Sequence, residues 1–84
     1  MRKKAYQSVP VKRVLISDML QRLAEGPMYV GLDIAKDEVL AVVRDCQGKF
    51  EHPWKVRQPQ EIGELVRKLK EISQSRVLVV AWLR

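Results

Sequence analysis

The sequence predicts a small α/β domain: a three-stranded antiparallel meander, a crossover helix, and a fourth strand parallel to the first. Three observations carry this prediction. Between Met28 and Arg57, three β-rich segments are separated by short turn sequences. After Gln58 the apolar residues recur at helical spacing, and the uncharged run "VLVVAWL" follows that helix. Short hairpin connections make consecutive strands antiparallel, whereas a helix between two strands is a crossover that makes them parallel, most simply with the first strand as neighbour.

Length and composition narrow the class. A chain of 84 residues forms one domain with a small core. It is 46% hydrophobic and 31% charged, and no apolar run approaches the ~20 residues of a membrane span, so a soluble protein without membrane partners is expected. The basic N-terminus is not followed by an apolar stretch of signal-peptide length, and Cys46 is the single cysteine; together these favour a cytoplasmic location.

The net charge of +6 is uneven. Residues 1–16 hold Arg2, Lys3, Lys4, Lys12 and Arg13 and no acid, while the other 68 residues carry 11 basic and 10 acidic side chains. Residues 1–10 therefore read as a basic flexible arm ending at Pro10, either a solvated terminus or a contact for nucleic-acid phosphates.

Residues 11–27 form a short helical segment. Ser17 or Asp18 suits the N-cap of a helix carrying Met19, Leu20 and Leu23, and Gly26-Pro27 stops it. The preceding "VLI" fits a strand or the start of a longer helix. In the first strand, Met28–Ile34, Val30, Leu32 and Ile34 share one face, and Tyr29, Gly31 and Asp33 share the other. "AKDE" reads as a turn. The run "VLAVV", Val39–Val43, predicts a second strand buried on both faces, and "DCQGK" supplies the next turn, with Gly48 available for a left-handed conformation.

The third strand alternates, with Phe50, His52, Trp54 and Val56 on one face and Glu51, Pro53, Lys55 and Arg57 on the other. Pro53 has no N–H for a ladder and points to an edge or a bulge. In the helix, Ile62, Leu65, Val66, Leu69 and Ile72 make one apolar stripe, with Pro59 suited to the first turn and Glu61 to the positive end of the helix dipole. The β-branched fourth strand reads as central.

Asp33 is the residue that asks for an explanation, because an ionised carboxylate in an apolar strand needs a cation, a proton or a cleft. Gly31, two residues away on the same face, leaves room beside it. If strands one and four are neighbours about 4.8 Å apart, a carboxylate on each would bind divalent metal between them. That arrangement is the one found in the ribonuclease-H-like fold.

"YVGLDIAKDEVLAVVRDCQGKF", followed by "QPQEIGELVRKLKEISQSRVLVV", resembles the N-terminal part of the DEDD transposases of bacterial insertion sequences, whose catalytic domain is similar to a Holliday-junction resolvase. The likeness spans about Met28 to Val80, and its best motif is the G-x-D-x-A-K stretch from Gly31 to Lys36.

The resemblance implies that residues 28–84 are the N-terminal part of a ribonuclease-H-like domain and that Asp33 is the first of four acids binding Mg²⁺ for DNA cleavage and strand transfer. It also implies DNA, and possibly a guide RNA, as partners of intact relatives. The family's second acid, a glutamate, follows a strand like "RVLVV", whereas here Ala81-Trp82-Leu83-Arg84 follows, with no acid after Glu71. The expectation is a truncated member, inactive alone, since one carboxylate holds a divalent ion weakly and cannot organise two-metal chemistry. An uncovered sheet face and an exposed "VLVVAWL" would then favour self-association.

Other candidates are weaker. Asp37, Glu38 and Asp45 near turns read as solvated, and His52 as a core histidine with no second histidine to complete a metal site. Trp54 reads as core and Trp82 as part of a divergent tail. Lys36 would meet a phosphate or pair with Asp37 or Glu38. Two other classes compete: a small basic nucleic-acid-binding module or inert remnant, and an actin-like or sugar-kinase-type ATPase. The ATPase reading is the poorer, because "DIAKDE" lacks the glycine and hydroxyl donors of a phosphate turn.

Overall fold

The computed structural model describes residues 7–82. The elements are β1 (Val9–Pro10), a 3₁₀ turn (Val11–Arg13), α1 (Ile16–Arg22), β2 (Met28–Ile34), β3 (Glu38–Asp45), β4 (Trp54–Arg57), α2 (Ile62–Ser73) and β5 (Leu78–Trp82). They build an open mixed sheet of order β1-β4-β3-β2-β5. β2, β3 and β4 form the expected antiparallel meander, and β5, reached through α2, runs parallel to β2.

The core lies on one side of the sheet. Met28, Val30 and Leu32 of β2, Val39, Ala41 and Val43 of β3, and Trp54 and Val56 of β4 alternate inward, where they meet Ile16 and Met19 of α1 and Leu65 and Ile72 of α2. Period-2 strands and a period-3.6 helix thus present one apolar face each. Leu69 and Ile62 pack at the margin of this core, but Val66, the remaining member of the stripe, is exposed.

Several expectations are corrected. The N-terminal segment is not irregular throughout: Val9 and Pro10 pair in parallel with Trp54 and Lys55, and the Val9 N–H donates to the Pro53 carbonyl at 2.8 Å. Pro53 stands just before β4, and because β1 covers that side of β4, β4 is not the sheet edge. Of the "VLI" stretch only Ile16 is helical: α1 starts there, with Leu15 at its N-cap and no side-chain cap from Ser17 or Asp18. α2 starts at Ile62 rather than at Pro59, with Glu61 as N-cap residue.

β3 is buried on one face only, its Leu40 and Val42 remaining partly exposed on the other. β5 is an edge strand, not a central one, and Val79, Val80 and Trp82 are all exposed. A β-branched apolar run signals burial only when neighbours cover both its faces, and here β2 alone flanks it.

Long-range polar contacts tie the helices to the sheet. The Arg76 guanidinium, between α2 and β5, donates to the carbonyl oxygens of Ala24 at 2.9 Å, Leu20 at 3.3 Å and Gly26 at 3.4 Å. It thereby satisfies acceptors left unpaired where α1 ends. Lys68 of α2 donates to the Val14 carbonyl at 2.6 Å, holding the segment before α1 against the second helix.

Candidate functional site

Asp33 lies near the C-terminal end of β2 on the sheet face opposite the helices, with Tyr29 and Gly31. It is exposed, and hence needs no buried counter-charge. Its cross-strand neighbour on β3 is Leu40, whose neighbour on β4 is Lys55. On the other side, the parallel register sets Leu32 beside Trp82, so the end of β5 lies alongside Asp33.

β5 brings no acid to that position. Among the described residues, no three His, Cys, Asp or Glu side chains converge as metal ligands. Asp33 is therefore a single carboxylate, and the donor set does not fit a chelated divalent ion.

Of the sequence-predicted basic residues, the structure describes Lys12, Arg13 and Lys36. Arg2, Lys3 and Lys4 lie outside the described residues. Lys12 pairs with Glu61 at 3.8 Å, and both line a groove of about 710 Å³ with Arg13, Asp37, Lys55 and Arg57. Lys36 is exposed in the β2–β3 turn and forms no ion pair among the described residues. His52 is exposed rather than in the core and lines a shallow cleft with Asp18, Arg22 and Glu51, of which Arg22 and Glu51 are joined at 2.6 Å.

Asp45 reverses its expectation most clearly. It is 1% exposed, where a solvated turn residue was expected. Its carboxylate accepts the backbone N–H groups of Ala24, Gln47 and Lys49, each at 2.9 Å. These bonds, led by that from Ala24, hold its pKa below the ordinary value of 3.8. The residue is a structural knot closing the β3–β4 turn onto the α1–β2 loop. The pattern "DCQGK", an acid two and four residues before exposed turn amides, is the sequence signal for the local half of it.

A second feature of the open face was missed by sequence reasoning. Val79, Tyr29, Arg44 and Phe50 stand in one row across the sheet, since Tyr29 pairs with both Val79 and Arg44, and Arg44 bridges to Phe50. The Arg44 guanidinium carbon sits 4.1 Å from the centroid of the Tyr29 ring, and its Nη1 donates to the Asp45 carbonyl at 2.9 Å.

No helix among the described residues is long and apolar enough to cross a membrane. Compared with protein-family models, curated proteins and solved structures, the chain matches none.

Proposed function

We propose that this chain is the N-terminal part of a ribonuclease-H-like domain of the DEDD insertion-sequence transposase class, with Asp33 in the place of the first metal-binding acid. The register of β5 carries the reading. An order of β4-β3-β2-β5 with β5 parallel to β2, and the end of β5 alongside Asp33, is the layout in which a second acid following β5 would face the first. Intact relatives use such acids with Mg²⁺ to cut and transfer DNA strands. Asp33 by itself supplies one carboxylate, too few ligands to organise two-metal chemistry.

Two measurements test the reading. The DNA following codon 80 should encode, in another frame, a Glu-Pro-Ser-Gly-like phrase and two further acidic segments, and their lack from every frame would remove the family assignment. In solution, Mn²⁺ should broaden amide resonances around Asp33 only at about millimolar concentration, and Asp33→Asn should abolish the effect. A tight site at Asp33 would refute the single-carboxylate description.

A further inference from the structure

The two edges of the sheet are unlike. Edge strands ordinarily deter pairing by being short, or by carrying a proline, a charge or a bulge. β1 uses two of these devices, being two residues long and ending in Pro10, which has no N–H to offer a further strand. β5, Leu78–Trp82, uses none: it is five residues long, has no proline or charge, and runs in unbroken register with β2. The outer row of its backbone N–H and C=O groups meets no other strand among the described residues.

Charge is placed away from β5. The basic excess of the chain lies in residues 1–16, and Lys12 and Arg13 directly follow β1. That edge is four strand spacings, about 19 Å, from β5. Two copies joined through β5 hold their β1 edges about 43 Å apart, several Debye lengths at ordinary salt, so the net charge does not oppose the contact.

We infer that β5 pairs antiparallel with β5 of a second copy, joining two five-stranded sheets into one across a two-fold axis. Full overlap of the strands centres the axis on Val80 and sets Leu78 opposite Trp82, Val79 opposite Ala81, and Val80 opposite its own counterpart. Opposed residues share a face in an antiparallel ladder, so the half-buried Leu78 gains the Trp82 indole of the other copy as a cover, and the small Ala81 leaves room for Val79.

Val77, Val79, Val80 and Trp82 are 68%, 44%, 44% and 71% exposed. With the strand backbone they offer on the order of 500 Å² per copy, roughly 1,000 Å² in a pair, which reaches the lower limit of a specific interface. With no charge and no side-chain hydrogen-bonding group besides the Trp82 N–H, β5 has nothing to hold a phosphate or an acidic partner, whereas its own copy matches it along its whole length. The contact uses both β5 edges at once and leaves only the blunted β1 edges outside, so assembly closes at two. The inference rests on β5 as the outer strand and not on the role proposed for Asp33.

Sedimentation velocity of the full 84-residue chain from about 1 μM to 1 mM should show a monomer–dimer equilibrium, half-associated at about 10–100 μM and without larger species. Val80→Lys and Val80→Glu should each weaken self-association about tenfold or more, because the register sets like charges against each other across the axis, and an equimolar mixture of the two should recover a heterodimer. Lys12→Gln, at the far edge, should change the dimer constant by less than about twofold.

In the unmodified protein, raising the concentration should shift the amide resonances of Leu78–Trp82 and slow their hydrogen exchange, while those of β1 stay unmoved. This readout holds even where a variant fails to fold. A chain that stays monomeric over the whole concentration range would overturn the inference. So would oligomers that grow past two, or a lysine–glutamate mixture that stays monomeric while both variants are folded. Concentration-dependent shifts confined to Tyr29, Arg44 and Phe50 would assign the contact to the open sheet face and refute pairing through β5.

Discussion

Arg76 offers the sharpest test of how the sheet and helices are joined. Replacing it by methionine keeps most of the aliphatic stem and removes the guanidinium contacts to Ala24, Leu20 and Gly26. Hydrogen bonds from a charged donor contribute about 1.5–3 kcal/mol each when close and shielded, and much less when long or wet. One contact at 2.9 Å counts near the lower end of that range, and two at 3.3 and 3.4 Å add a fraction, so Arg76→Met should cost about 2 kcal/mol.

That is a large share of the stability of a chain this size, roughly 4–13 kcal/mol. The melting temperature should fall by about 10 °C, and the urea midpoint by about 2 M for m near 1 kcal/mol/M. Arg76→Lys, which reaches one carbonyl at most, should recover part of the loss. Native-state hydrogen exchange should show α1 amides opening more readily while the β2–β3 ladder changes only with global stability. A cost below about 0.5 kcal/mol, or a lysine variant as stable as the original, would refute the clasp and return Arg76 to the class of solvated surface charges.

Two further outcomes follow from the same structure. Because the pKa of Asp45 is depressed in the folded state, its contribution to stability is present above the ordinary carboxylate value of 3.8 and is lost as pH falls through the lower folded value. The acid limb of an unfolding profile should therefore flatten in Asp45→Asn, which should also be less stable at neutral pH; an unchanged acid limb would contradict the three-amide cradle. The two tryptophans should report opposite environments: Trp54, 2% exposed, should resist acrylamide quenching in Trp82→Phe, whereas Trp82, 71% exposed, should be quenched readily in Trp54→Phe. Shielding of both at low protein concentration would contradict β5 as an uncovered edge.

The Tyr29–Arg44 stack and the lone carboxylate at Asp33 occupy the same sheet face but rest on different chemistry. Aromatic surface and a fixed guanidinium create the first. Strand register alone places the second, and it needs partners that the described residues do not provide.

Local pattern was enough for the two helices, for β2 to β5 and for their order, but not for β1. Alternation through Val30, Leu32, Val39, Ala41, Val43, Trp54 and Val56 marks the inward positions of the meander, and the spacing of Leu65, Leu69 and Ile72 marks the inward face of α2, because side-chain direction follows from backbone period alone. Hairpin and crossover geometry then dictate antiparallel and parallel neighbours. Gly48, with φ of 88°, occupies the left-handed turn position that its place in "DCQGK" suggests.

Everything that depended on distant segments was decided by tertiary structure. His52 and Phe50 alternate with Trp54 and Val56 in sequence, yet they precede β4 and stay exposed, because the regular strand begins only at Trp54. Asp45 is buried since an amide 21 residues away, that of Ala24, completes its cradle. Arg76 finds its carbonyls more than fifty residues earlier. The row Val79–Tyr29–Arg44–Phe50 exists only once β5 docks on β2. Periodicity shows which residues share a face, but which face is covered, and what each edge meets, depends on contacts between segments that no local window contains.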